Sequence, residues 1–114
     1  MSKITERDFV NSLASIIPDD AQTVFILSRI WTFANRLEAP GDDLATWLFD
    51  LIDEFVGPQR TLIYPAFTLS YGLSRKFDLI RSKPETGALS GDAMLRPNYR
   101  RTRAPMASYF SRGP

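Results

Sequence analysis

Two residue types that carry much of enzyme chemistry, cysteine and histidine, are missing from these 114 residues. Without cysteine there is no disulfide scaffold, no thiol-ligated metal and no thiolate nucleophile. Without histidine, imidazole is excluded as a base, shuttle or metal ligand from this stretch, and its many serines cannot join a Ser-His-Asp relay. Long apolar runs are lacking as well. None approaches the roughly 18–20 residues of a membrane span, and the N-terminus, MSKITERDF, has no signal-peptide core. A cytoplasmic protein with no membrane partner is therefore expected. Neither a Walker A nor a GxGxxG pattern occurs, so the standard glycine-rich phosphate cradles are absent. There is no internal repeat and no low-complexity tract.

What is present suits a globular domain: 44% of the residues are apolar and 24% charged, enough for one modest core and against disorder. The length fits residues 1–114 as a single domain or a piece of one. The net charge of +1 hides a split. Residues 1–57 carry four basic and ten acidic side chains, whereas residues 58–114 carry ten basic and three acidic ones. Five arginines (Arg96, Arg100, Arg101, Arg103 and Arg112) crowd the end with no acid among the residues that separate them. Such a split points either to an anionic partner near the C-terminal stretch or to mutual pairing of the two halves on folding.

Apolar spacing predicts an amphipathic helix over about residues 4–17, opened by an imperfect capping box, Thr5-x-x-Asp8, and ended by Pro18. Thr23-Val24-Phe25-Ile26-Leu27 reads as a short strand buried on both faces, as in parallel sheets. The clearest helix is 42–56, capped by Asp42 or Asp43, apolar along Leu44, Leu48, Leu51, Ile52 and Phe55, and stopped by Gly57-Pro58. Thr61-Leu62-Ile63-Tyr64 follows as a second strand, ended by Pro65, which has no N–H to donate to a ladder. Strand, helix, strand is a βαβ unit with a parallel crossover. Residues 66–90 show no sustained periodicity; beyond them a short helix near 90–95 and a short strand near 99–103 are expected. Two parallel strands alone would leave both edges open. With no closing helix or strand visible at Ser111-Arg112-Gly113-Pro114, the expectation is an incomplete three-layer α/β/α sandwich, the N-terminal part of a larger domain.

The acids Asp42, Asp43, Asp50, Asp53 and Glu54 sit on or before a helix at solvent-facing spacing, which favours a solvated face over metal binding. Trp31, Trp47 and the phenylalanines could stack on bases, but Phe25, Trp47 and Phe49 lie where core packing is the better reading. With so small a net charge, no nucleic-acid partner is expected.

The second half carries a resemblance. Thr61-Leu62-Ile63-Tyr64-Pro65-Ala66-Phe67-Thr68 resembles the "TLVMPTFT" strand and loop of the aminoglycoside 3-N-acetyltransferase family. Phe77-Asp78 and Thr86-Gly87-Ala88-Leu89-Ser90 look like its "FD…TGxLS" segment. Arg96 to Ser108 is similar to its "PxxxRSxHPxxS" motif, and Gly113 fits the glycine that follows. Val24 to Phe33 sits where that family has a strand leading into "HSSLxSxG". The matches cover nearly the whole chain in order. The resemblance implies an acetyl-CoA-dependent N-acetyltransferase, with acetyl-CoA as co-substrate and an amino group of an aminoglycoside antibiotic or related aminosugar as acceptor. In that chemistry a neutral amine attacks the thioester, because an ammonium has no lone pair, and a donor in a dry pocket meets the oxyanion. The phosphates of coenzyme A suit guanidinium forks.

Carried over by position, the implied cofactor-binding residues are Ser28 and Arg29 at the "HSS" serines, Pro65, Phe67 and Thr68 beside the pantetheine channel, and Arg101, Thr102 and Ser108 in the "RSxHPxxS" stretch. Pro105 matches that stretch as well. Each of these residues could instead simply fix the fold. Leu27 and Ala104 stand where the family usually has histidine. The family's base, a histidine supported by a carboxylate, lies beyond the position of Pro114, so no catalytic residue is assigned here. A sugar-nucleotide or cell-surface aminosugar is an alternative acceptor. A different reading is a non-catalytic α/β interaction module, or degenerate remnant, that self-associates through an exposed sheet edge.

Overall fold

The computed structural model describes residues 4–28, 36, 43–67, 75–76, 78–79, 81–85, 87–104 and 108–114. Along the chain these form α1 (Glu6–Ile16), β1 (Thr23–Phe25), α2 (Leu44–Val56), β2 (Thr61–Pro65), α3 (Ala88–Met94), β3 (Arg100–Arg101) and β4 (Tyr109–Arg112). The strands make one mixed sheet in the order β1-β2-β4-β3.

Both long helices begin where their side chains satisfy exposed amides. Thr5 Oγ1 accepts from the Asp8 amide while Asp8 accepts from the Thr5 amide, each at 3.1 Å, so the capping box is complete. Asp43 caps α2 by accepting from the Thr46 amide at 3.0 Å, and this bond holds its carboxyl below the ordinary value. Gly57, at φ 77°, ends α2 in a conformation that a side chain would strain.

β1 and β2 run parallel, Val24 opposite Leu62 and Phe25 opposite Ile63, with α2 as the crossover. The βαβ unit stands as expected, with two corrections. β1 is shorter and is buried on one face: Val24 is 7% exposed, Phe25 44%. Among the described residues it is an edge strand, and no described helix covers the face that carries Phe25. β2 also runs through Pro65. Amide bonds from Thr61 to the Gln22 carbonyl and from Ala66 to the Ser108 carbonyl put odd-numbered residues of β2 toward β1 and even-numbered ones toward β4. The missing N–H of Pro65 thus falls on the β1 side, where pairing has already ended, and costs the β4 ladder nothing.

The sheet is larger than two parallel strands. β4 lies antiparallel to both β2 and β3, pairing Leu62 with Arg112, Tyr64 with Phe110 and Arg101 with Phe110. α1, α2 and α3 share one core with the face bearing Val24, Leu62, Tyr64 and Phe110, around fully buried Leu48 and Phe49. Each such side chain contributes roughly 1.5–3 kcal/mol by leaving water. Among the described residues this is a mixed sheet with helices on one face, an incomplete α/β sandwich.

The acidic face of α2 is not simply solvated. Asp53 accepts from Arg112 Nε at 2.9 Å and from the Tyr99 hydroxyl at 2.8 Å. Asp50 pairs with Arg96 at 2.9 Å, and Arg96 also reaches Asp92 at 3.2 Å while lying 4.7 Å over the Phe49 ring. Burial works against the Arg96 charge, but Asp92 and Asp50 outweigh it and raise the guanidinium above its ordinary value. The acidic and basic halves therefore do pair on folding, through Arg96 and Arg112. No helix among the described residues is long and apolar enough to cross a membrane.

Candidate functional site

In open α/β sheets ligands gather outside the carboxyl ends of parallel strands. Here that end lies beyond Phe25 and Pro65, and it collects most of the residues singled out from the sequence. Pro65 is buried and paired with Tyr109 across the β2–β4 ladder. Phe67, half-buried, sets its ring edge-on to Tyr109 at 5.3 Å, and Tyr109 meets Phe25 at 5.5 Å. Three aromatic rings from β1, β4 and the exit of β2 thus line the face of the sheet turned away from α2.

On the other face, Ser108, Arg101 and the Ala66 carbonyl are hydrogen-bonded to one another. Ser108 is fully buried; its hydroxyl donates to Ala66 O at 2.8 Å and accepts from Arg101 Nε at 3.1 Å. Arg101 also donates from Nη2 to Ala66 O at 3.0 Å and from Nη1 to the Ser82 carbonyl. Its guanidinium lies 5.2 Å over the Phe110 ring, and burial draws it below its ordinary value. Thr102, exposed, closes the β3–β4 pairing: its amide donates to Tyr109 O and its hydroxyl accepts from the Tyr109 amide, each at 2.9 Å.

The structure therefore brings Pro65, Phe67, Arg101, Thr102 and Ser108 to one end of the sheet, Phe67 on the face turned away from α2 and Arg101 and Ser108 on the face toward it. The Ser28 carbonyl oxygen stands 3.3 Å from where a Cβ on Gly87 would be, at the start of α3. Arg29, Thr68 and Pro105 lie outside the described residues. Leu27, at one of the positions where a histidine would be expected from the resemblance, is 72% exposed, and Ala104, at the other, is exposed.

Sequence reasoning missed three participants. Two are backbone carbonyls, at Ala66 and Ser82, which side-chain patterns do not reveal. The third is Tyr109, in the stretch Tyr109-Phe110-Ser111-Arg112, which has no period-2 alternation of apolar and polar residues to mark it as a strand. Among the described residues no group of three or more carboxylates could hold a metal ion.

A mixed sheet with a βαβ unit and a polar and aromatic corner at its parallel carboxyl end defines the layered α/β class. Within that class the chain has the fold of part of the aminoglycoside acetyltransferases. Aminoglycoside acetyltransferase AAC(3)-IVa, as apoenzyme, superposes with a TM-score of 0.74 at 20% identity, over 100% of this chain and 42% of that one. AAC-IIIb, binary with CoASH, gives 0.74 at 19% identity, over 99% of this chain and 47% of that one. AAC(3)-Xa gives 0.74 at 20%, over 98% and 44%. At this identity the likeness shows the fold, and the chain spans less than half the length of these structures. No family model and no curated protein matches the sequence.

Proposed function

We propose that these residues form the N-terminal part of an acetyl-CoA-dependent N-acetyltransferase domain whose acceptor is an amino group of an aminoglycoside or related aminosugar. The observation that carries this reading is the fold likeness across 98–100% of the chain to aminoglycoside acetyltransferases. One of those structures holds CoASH, and others hold gentamicin, sisomicin or apramycin. The motifs quoted from the sequence fall in the same order, and five of the eight implied cofactor-binding residues meet at the expected end of the sheet.

In this reading acetyl-CoA supplies the activated acyl group. By the resemblance, Pro65, Phe67 and Thr68 belong to the loop bordering its pantetheine arm, and Ser28, Arg29, Arg101, Thr102 and Ser108 complete the cofactor-binding set. The amine must lose a proton before attack. The 114 residues hold no histidine, and the resemblance places the base beyond Pro114. Acetyl-CoA binding is therefore expected with the rest of the domain restored, and turnover on an antibiotic or aminosugar amine only with the segment that supplies the base.

Titration calorimetry with acetyl-CoA tests the reading, together with a thiol-release assay on gentamicin, sisomicin and apramycin. With the rest of the domain restored, the expected result is saturable acetyl-CoA binding that weakens with added salt, while the 114 residues alone release no thiol. Absence of binding by the restored domain at about 1 mM acetyl-CoA, the upper range of ordinary substrate constants, would overturn it. The edge position of β1 and the exposure of Phe25 favour a second reading, self-association through that edge. Light scattering separates the two: a monodisperse monomer that binds acetyl-CoA removes the second.

A further inference from the structure

Arg101 has the side chain expected of a phosphate fork, yet its donors are turned inward. Nε, Nη1 and Nη2 go to Ser108 Oγ, Ser82 O and Ala66 O, while the guanidinium covers Phe110. These acceptors belong to three separate stretches of chain. Ala66 is the first residue after β2 and opens the loop that carries Phe67. Ser108 leads into β4. Ser82 ends a turn fastened by Asp78, whose carbonyl accepts from the Ser82 amide at 2.9 Å and whose carboxylate accepts from the Arg81 amide at 3.1 Å. Three residues on, the Glu85 amide donates to the Phe67 carbonyl at 2.8 Å. The 82–85 segment is therefore tied at one end to Arg101 and at the other to Phe67.

We propose that Arg101 is a positioning residue: it clamps the exit of β2, the 82–85 segment and the entry to β4 into one rigid rim, and holds the Phe67 loop in place without itself contacting the phosphates of the cofactor. As a statement about the cofactor rim, this rests on the acetyltransferase reading; as a statement about the clamp, it stands on the hydrogen bonds alone. A planar fork spreads its donors in fixed directions over three nitrogens, whereas a lysine ammonium has its three donors on one atom and does not reproduce that reach. The nearby Arg103 is exposed, so it carries the same charge without the clamp.

The test is amide hydrogen exchange followed residue by residue in the protein and its Arg101→Lys, Ser108→Ala and Arg103→Ala variants. It is paired with titrations, on the restored domain, of acetyl-CoA and of acetyl-pantetheine, which lacks the nucleotide and its phosphates. Arg101→Lys is expected to speed exchange at the Ala66 and Glu85 amides about tenfold or more. The Thr61 amide, at the far end of β2, and the Gly57 amide should keep their rates. Ser108→Ala should reproduce the change at Ala66, and Arg103→Ala should leave all four amides as they were. Arg101→Lys should weaken acetyl-CoA and acetyl-pantetheine by the same factor, since the lost element is the rim. Unchanged exchange at Ala66 and Glu85 overturns the clamp, as does acceleration spread equally to Thr61 and Gly57. A loss confined to acetyl-CoA overturns the positioning role in favour of direct phosphate contact. Local acceleration with a restored domain that binds neither ligand supports the clamp and removes the acetyltransferase reading.

Discussion

Replacing Arg112 by methionine tests the energetic centre of the fold. The Arg112 side chain is 7% exposed. It makes four hydrogen bonds: Nε to Asp53 Oδ1 at 2.9 Å, Nη2 to Asp53 O at 3.0 Å, and Nη1 to Gly57 O at 2.8 Å and to Arg60 O at 3.0 Å. Three of the acceptors are carbonyls at the end of α2 and in the loop to β2: Gly57 O and Arg60 O lie past the last helical turn, and Asp53 O also accepts from the Gly57 amide at 3.0 Å. Methionine keeps most of the volume and supplies no donor. Removing one partner of a buried pair costs about 3–5 kcal/mol. Asp53 is about one-third exposed and keeps the Tyr99 hydroxyl, so the lower end, ~3 kcal/mol, is expected. At about 4 °C per kcal/mol for a domain of this size, Tm should fall by roughly 12 °C. Urea and thermal unfolding of the wild type, Arg112→Met, Asp53→Ala and the double variant form a cycle whose coupling should exceed ~1 kcal/mol. A loss below ~1 kcal/mol for Arg112→Met, or no coupling, would refute the assignment of Arg112 as the tie between α2 and the sheet.

Phe49→Ala removes a ring 1% exposed that stacks on Tyr64 at 5.3 Å and carries Arg96 above it; chemical denaturation should show a loss of about 3–5 kcal/mol, and a loss under ~2 kcal/mol would mean the core recloses around the gap. Gly113→Ala should destabilise by about 1–3 kcal/mol, because Gly113 has φ 105° and a Cβ there would drive into the Arg60 carbonyl; an unchanged melting curve counts against that close approach. Burial raises the phenols of Tyr64 and Tyr99 above the ordinary 10.0, and Tyr99 is raised further by its bond to Asp53. A raised folded pKa gives stability that is complete below the unfolded value and lost as pH rises toward the folded one. Tm should therefore drop between about pH 9.5 and pH 11.5, less steeply in Tyr99→Phe, and a flat profile would contradict the burial of both rings.

Local signals in the sequence located most of the elements. Thr5 and Asp8 marked the start of α1, and Asp43 with Gly57 bracketed α2, because caps are satisfied within three or four residues. β4 escaped notice: Ser108 to Arg112 is short, follows Pro105, and carries serines and an arginine that look like loop until the pairing with Leu62 and Tyr64 is known. That pairing spans about half the chain, and no local pattern reports it. The same distance hid the fate of the charges. Asp50 and Asp53 have the spacing of a wetted face, yet Arg96 and Arg112 arrive from the other half to meet them. At the candidate site, Pro65, Phe67, Arg101, Thr102 and Ser108, offered by motif spacing, fall at one end of the sheet. What that spacing could not convey is that Arg101 faces inward, since its main acceptors are backbone carbonyls contributed by two other stretches.

The strand order has a consequence for how the molecule is made. A chain emerging from its N-terminus can close β1, α2 and β2 early, since these are consecutive. β3 then appears with no neighbour, because the strand that joins it to β2 is β4, the last of the four to be synthesised. Until Tyr109–Arg112 is out, the β4-facing edge of β2 presents unpaired amides and carbonyls to whatever is nearby. Any pause or cut before residue 109 would leave a nascent chain with an adhesive edge in its middle, a hazard for assembly that the finished sheet no longer displays.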